Sequence, residues 1–214
     1  MDWDREARTG LAEAVYCAGK TPAQVDAIAL AALNEGRRLL LTRLVPERRA
    51  ALSPHVREAL DYDAISATAI LGDPAAARPG SVAVVTGGLA DMPAATEATR
   101  TLAFHGATAT LVADVGVAGL WRLMARLEEI RRADVVIAVA GMEGALFSVL
   151  AGLVAAPVVA LPVSCGTGVS AGGRLALGAA LGSCAPGLVA VNIDNGFGAA
   201  QAALRILALA HPPQ

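Results

Sequence analysis

The sequence predicts an α/β protein: a parallel sheet with helices on both faces, making three layers, behind a small N-terminal α+β unit. Three observations predict it. From Ser81 onward, short runs rich in Val, Ala and Ile alternate with helix-spaced segments, the rhythm of strand–helix units in a parallel sheet buried on both sides. The stretch "GDPAAARPGS", Gly72 to Ser81, is rich in Pro, Gly and Ala and reads as a linker, giving domains at residues 1–76 and 77–214. The 214 residues are 55% hydrophobic but only 3% aromatic. The core is therefore large and built from small side chains, which suits close helix-on-sheet packing and an oligomer that buries further surface.

The elements follow in order. In "TPAQVDAIALAALNEG", Thr21 can cap a helix, Pro22 can open it and Gly36 follows its end. "RRLLLTRL" suits a strand, "PERRAALSPHVREAL" one or two helical turns, and "AISATAILG" a second strand. After the linker, "SVAVVTGG", "TATLVADVG", "ADVVIAVAG", "PVVALP" and "GLVAVNI" are five strands. Each precedes a helix: "MPAATEATRTLAFHG", "VAGLWRLMARLEEIRR", "MEGALFSVLAGLVA", "SAGGRLALGAALG" and "GFGAAQAALRILALA".

Composition excludes several classes of function. A net charge of −2 without a basic stripe argues against nucleic-acid binding. Gly144 to Gly173 is free of charge, but Pro157, Pro162 and several glycines cut it into strand and short-helix lengths, so no membrane span is expected. The N-terminus, "MDWDREARTG", is charged and unlike a signal peptide. Three cysteines without ligand spacing suit a reducing cytoplasm, and the scattered His55, His105 and His211 draw no metal site. Cys17 and Cys165 read as small buried hydrophobes. Cys184 sits between Gly182 and Pro186 at the amino end of the last strand. There it is either structural or brought into a site by another part of the assembly.

Ligands of open parallel sheets bind beyond the carboxyl ends of the strands. That rule gathers Gly87, Gly88, Asp114, Gly141, Glu143, Ser164, Cys165, Asn192 and Asp194 on one rim. These strand-end loops gather polar groups in a largely apolar half of the chain, which marks the rim as the candidate site. In "VTGGLADMP" the backbone amides suit an anion, while Asp91 equally suits a helix cap. Glu143 reads as a first-turn helix charge or a functional carboxylate. "VSCGTGVSAGG", with Gly166 and Gly168, reads as a loop open to close ligand approach.

The residues "VAGMEGALFSVLAGL", "GSCAPGLVAVNIDNGFGAA" and the N-terminal "RxxRTGLAEAVYCAGKT" resemble the LarB family, pyridinium-3,5-biscarboxylic acid mononucleotide synthases of nickel-pincer nucleotide biosynthesis. The C-terminal half is similar to AIR carboxylase (PurE), a flavodoxin-like domain. The resemblance implies that nicotinic acid adenine dinucleotide is carboxylated at C5 of its pyridinium ring with CO2 or bicarbonate. Its phosphoanhydride is then cleaved, releasing AMP and the biscarboxylated mononucleotide.

It further implies Mg²⁺ at the pyrophosphate, no tightly bound organic cofactor, a cytoplasmic enzyme and a homo-oligomer, an octamer. By motif match Cys184 is the covalent nucleophile, and Glu143 the base or its orienter. Substrate contacts are expected from Gly87, Gly88, Asp91, Asp114, Gly141, Met142, Ser164, Gly166, Gly168, Asn192, Asp194 and Asn195. Asn192, Asp194 and Asn195 equally suit a cap on the last helix. In the appendage Arg5, Arg8, Glu13, Tyr16, Lys20 and Thr21 match the family motif, and Arg5, Arg8 and Lys20 are expected on the dinucleotide.

The chain departs from the usual family pattern at Ala90, at Phe147 and at Val163–Gly168, which includes Thr167. Two alternatives stand beside the leading reading. One is an aminoimidazole ribonucleotide carboxylase or mutase, weakened by the absence of histidine from "DVGVAG" and "VAGMEG". The other is a dinucleotide-binding relative without turnover.

Overall fold

The computed structural model describes residues 1–73 and 75–211. Pro74 of the expected linker, and residues 212–214 at the end of the expected second domain, lie outside the described residues. The chain divides into two compact units. One holds Met1–Ala76 with Phe104–Gly106, and the other holds Ala77–Ala103 with the chain from Ala107.

The first unit runs α1 (Arg5–Thr9), β1 (Ala14–Tyr16), α2 (Pro22–Asn34), β2 (Leu39–Thr42), α3 (Pro46–Ala50), α4 (Pro54–Ala59), β3 (Asp61–Asp63) and β4 (Thr68–Leu71). Its sheet has the order β1-β2-β4-β3, with β1 parallel to β2 and the other pairs antiparallel. The punctuation around α2 acts as its residues dictate. Thr21 accepts from the Gln24 N–H, the Gln24 side chain accepts from the Thr21 N–H, and Pro22 opens the helix. The sequence predicts two strands here and the structure has four, because β1 and β3 are three residues each, too short to show a period of two.

The second unit runs β5 (Ser81–Thr86), α5 (Met92–Phe104), β6 (Thr108–Val112), α6 (Leu120–Ile130), β7 (Val135–Ala140), α7 (Ala145–Leu153), β8 (Val158–Pro162), α8 (Arg174–Leu181), β9 (Leu188–Ala190) and α9 (Gly196–Ala210). All strand pairs are parallel, in the order β6-β5-β7-β8-β9. This is the parallel, doubly covered sheet that the strand–helix rhythm predicts, in the flavodoxin-like strand order that the resemblance implies. Every residue of β7 and β8 is buried, which explains why they read as unbroken apolar runs. In α6, Leu123, Leu127 and Ile130 are buried at helical spacing while Trp121 and Met124 face outward. The charge-free run from Gly144 resolves into α7, β8 and a glycine-rich loop, and among the described residues no helix is long and apolar enough to cross a membrane.

The strand order reverses direction at β5. The chain leaves β5 toward β6 on one side and returns to β7 on the other, so the loops after β5 and β7 diverge and leave a crevice between them.

Candidate active site

The crevice is a cleft of about 370 Å³ in the second unit. Its walls come from the loop after β5 (Gly87, Gly88, Ala90, Asp91) and the loop after β7 (Gly141, Met142, Glu143, Gly144). Gly116, Val117, Ala118 and Arg122 close one side, and Cys165 from the loop after β8 closes another.

Left-handed backbone marks the strand ends. Asp114, Met142 and Asp194, beyond β6, β7 and β9, have φ of 58°, 50° and 56°. Non-glycine residues adopt this conformation at a cost, and such residues cluster where a loop geometry is functionally constrained.

Asp91 is the polar centre of the cleft. It is 4% exposed, its Oδ2 accepts from the Gly88 N–H at 2.8 Å, and its Oδ1 accepts from the Cys165 thiol at 3.1 Å. Burial pushes its carboxyl above the ordinary range, opposed by hydrogen bonds from Cys165 and from the Gly88, Gly141 and Gly87 amides. The two readings of Asp91 therefore merge: it closes the turn at Leu89–Asp91 and presents a carboxylate to the cleft.

Cys165 differs from expectation. It is exposed, not a buried hydrophobe. The chain leaves β8 at Pro162 and carries Cys165 over the backbone of Gly141, where a Cβ would come within 2.8 Å of Sγ. Burial of the thiol, together with the hydrogen bond and charge of Asp91, pushes Cys165 up to about 12. It is a protonated donor at neutral pH, not a nucleophile.

Glu143 is exposed on the cleft wall. The expected first-turn position is displaced: α7 begins at Ala145, with Gly144 in left-handed conformation as its cap, so Glu143 precedes the helix. Gly144 cannot hold a side chain cheaply, since a Cβ would meet the Phe147 ring at 2.9 Å. The departure at Phe147 thus packs under the turn that carries Glu143.

The remaining expected groups divide. Asp194 Oδ1 accepts the Ser164 N–H at 2.8 Å, and the Asp194 N–H reaches the Pro162 carbonyl, which ties the loop after β9 to the one that carries Cys165. Asn195 caps α9 through the Gly198 N–H, and Asn192 accepts its neighbour's amide at Ile193. Asn192, Asp194, Asn195, Ser164, Gly166 and Gly168 do not line the cleft. Asp114 also stands behind the wall, where its Oδ2 accepts from Arg122 Nη1 at 2.8 Å. Arg122 is a cleft cation that the sequence reading passed over. It sits at the third position of an amphipathic helix, where an arginine looks like an ordinary polar-face residue.

Cys184 lies in the short connection between α8 and β9 and is exposed, but it does not line the cleft. Its loop is pinned, with Ser183 Oγ 2.7 Å from Ser148 Oγ of α7 and accepting the Ala185 N–H. Arg5, Arg8 and Lys20 belong to the first unit. Arg8 is clamped by both carboxylate oxygens of Asp2, and the Lys20 carbonyl accepts from Arg48.

Two family models match the chain, one on each side of the expected linker. Residues 1–73 match the LarB/PurE-like N-terminal domain, and residues 81–213 match AIR carboxylase. The chain belongs to the LarB family. Its larger domain is an AIR carboxylase domain, and the cleft lies wholly within it. The chain is also 37% identical over 209 residues to the uncharacterized protein MJ0165 of Methanocaldococcus jannaschii, covering 93% of this chain and 80% of that protein. The family relation makes a carboxylase-type enzyme the coarse reading of this LarB chain.

Proposed function

We propose that the protein carboxylates C5 of the pyridinium ring of nicotinic acid adenine dinucleotide and hydrolyses the phosphoanhydride, giving AMP and pyridinium-3,5-biscarboxylic acid mononucleotide. The observation that carries this reading is a LarB N-terminal domain joined to an AIR carboxylase domain whose cleft presents Asp91 and Glu143.

The chemistry requires a nucleophile, because an electron-poor pyridinium carbon does not attack CO2. The Cys184 thiolate adds to C4, which turns the ring into a dihydropyridine with an enamine carbon at C5. C5 then bonds to CO2, a base removes the C5 proton, and expulsion of the thiolate restores the aromatic ring. Glu143, exposed on the cleft wall, is the base. The amides of Gly87 and Gly88 are already taken, by the Val139 carbonyl and by Asp91 Oδ2, so an anionic group of the substrate needs other donors in the cleft.

Cys184 must reach the ring from outside its own cleft wall. Ser183 and Ser148 hold its loop in place, so a swing of that loop is a poor route. Leu181 and Val189, 71% and 52% exposed, flank it with apolar surface that another copy of the chain would cover. The thiol therefore comes from a neighbouring copy in a homo-oligomer. No three His, Cys, Asp or Glu side chains among the described residues gather as a metal-ion site. A Mg²⁺ carried on the pyrophosphate needs only one or two protein carboxylates beside the phosphate oxygens, and no step here passes through it.

An aminoimidazole ribonucleotide carboxylase reading is weaker, because no histidine is among the described residues that line the cleft. The test is intact-protein mass spectrometry after incubation with the acid dinucleotide. A covalent adduct is expected, absent in Cys184→Ser. Turnover of the aminoimidazole nucleotide that survives Cys184→Ser would favour the alternative.

A further inference from the structure

Arg122 is the one cation among the described residues that line the cleft, and the other ionisable groups there are Asp91, Glu143 and Cys165. It is the third residue of α6, where a side chain leans back toward the helix start and the strand ends. Its position is built from several directions. Nη1 donates to Asp114 Oδ2 at 2.8 Å, and the Asp114 amide donates to Thr86 Oγ1 at 3.0 Å at the fully buried end of β5. The neighbouring loop is cut back to make room. A Cβ on Gly119 would stand 2.9 Å from Nε, and one on Gly116 would stand 3.7 Å from Nη2 and 2.5 Å from the Gly87 carbonyl.

This pair does little for stability, because the side chains of Arg122 and Asp114 are 31% and 46% exposed and an ion pair so open to water is weak. What the arrangement does provide is orientation. One arm of the guanidinium is anchored, and the planar fork retains further donors for a bidentate oxyanion.

We propose that Arg122, aimed by Asp114, is the oxyanion-binding residue of the cleft. This rests on the dinucleotide reading above for its substrate class. The oxyanion has two sources in that substrate, the carboxylate on the pyridinium ring and the pyrophosphate, and both present paired oxygens to the fork. If the ring carboxylate is the partner, Arg122 distinguishes the acid dinucleotide from its amide counterpart. If the pyrophosphate is the partner, Arg122 holds both alike.

The test is calorimetric binding of the acid dinucleotide, the amide dinucleotide and inorganic pyrophosphate to the full chain and to Arg122→Gln, Arg122→Lys and Asp114→Asn. Thermal melting of each variant checks that it is folded. Arg122→Gln is expected to lose about tenfold to a hundredfold in affinity for the acid dinucleotide, with Arg122→Lys and Asp114→Asn between it and wild type. Loss confined to the acid form assigns the ring carboxylate, and equal loss for the amide form and pyrophosphate assigns the phosphates. Wild type that binds pyrophosphate through Arg122 but neither dinucleotide keeps the anion site and removes the dinucleotide reading. Unchanged affinities in Arg122→Gln, or no binding of any of the three by wild type, overturn the proposal.

Discussion

The Cys165 thiol donates a hydrogen bond to Asp91 Oδ1 at 3.1 Å, across loops 74 residues apart in sequence. The partnership makes each group what it is. The carboxylate holds the thiol protonated, and the thiol is one of the donors that keep a buried carboxylate charged.

Thiol labelling tests the first half of that relation. With Cys165 pushed up to about 12, its alkylation by iodoacetamide should be slow at pH 7 and should still be rising with pH at the alkaline limit of the folded protein. Asp91→Asn removes the opposing charge and should speed labelling several-fold at pH 8, read by peptide mass mapping. Burial remains, so the rate should stay below that of a free thiol.

Thermal melting tests the second half. A carboxyl with a folded-state value above 3.8 binds its proton more tightly folded than unfolded. Its favourable contribution is full below the unfolded value and is lost as pH rises through the folded one, so ionised Asp91 costs stability at neutral pH. Asp91→Asn should melt higher than wild type at pH 7, with the gap closing below about pH 3.8. A lower melting point at pH 7 would mean that its hydrogen bonds outweigh its burial.

Gly141 and Cys165 should be coupled. A Cβ at position 141 meets Sγ at 2.8 Å, so Gly141→Ala should cost about 1–3 kcal/mol by crowding and should push the thiol off Asp91. Cys165→Ala in the same chain should recover most of that cost. A double-mutant cycle by denaturant unfolding should show a coupling of about 0.5–3 kcal/mol, whereas additive effects would place the strain elsewhere.

Complementation tests the origin of Cys184. Cys184→Ala and Glu143→Gln should each abolish carboxylation. Oligomers assembled from equal amounts of both should recover about a quarter of wild-type activity, since random pairing gives that share of intact sites when two copies contribute. No recovery would mean that a single copy supplies both groups.

Much of this was legible in the sequence, and for identifiable reasons. The five strands of the second unit were readable because buried parallel strands are continuously apolar and their helices carry the complementary spacing, as with Leu123, Leu127 and Ile130. Of the rim residues that topology gathers, Gly87, Gly88, Gly141, Glu143 and Cys165 line one cleft, while Asp114, Ser164, Asn192 and Asp194 do not. Other features depend on contacts far apart in the chain. Cys165 looked like an apolar filler because only the fold brings Asp91 to it. Arg122 looked like a polar helix face because only the Asp114 turn and the glycines at 116 and 119 turn it toward the cleft. The short strands β1 and β3 exist through pairing with β2 and β4, which no local pattern announces.

The central claim is the reaction itself, and product analysis tests it most directly. The full chain is incubated with nicotinic acid adenine dinucleotide and isotope-labelled bicarbonate, and the products are resolved by mass spectrometry. The account predicts AMP together with a pyridinium mononucleotide bearing one labelled carboxylate, both absent with Cys184→Ser. Intact dinucleotide, or AMP without a labelled carboxylate, would contradict it.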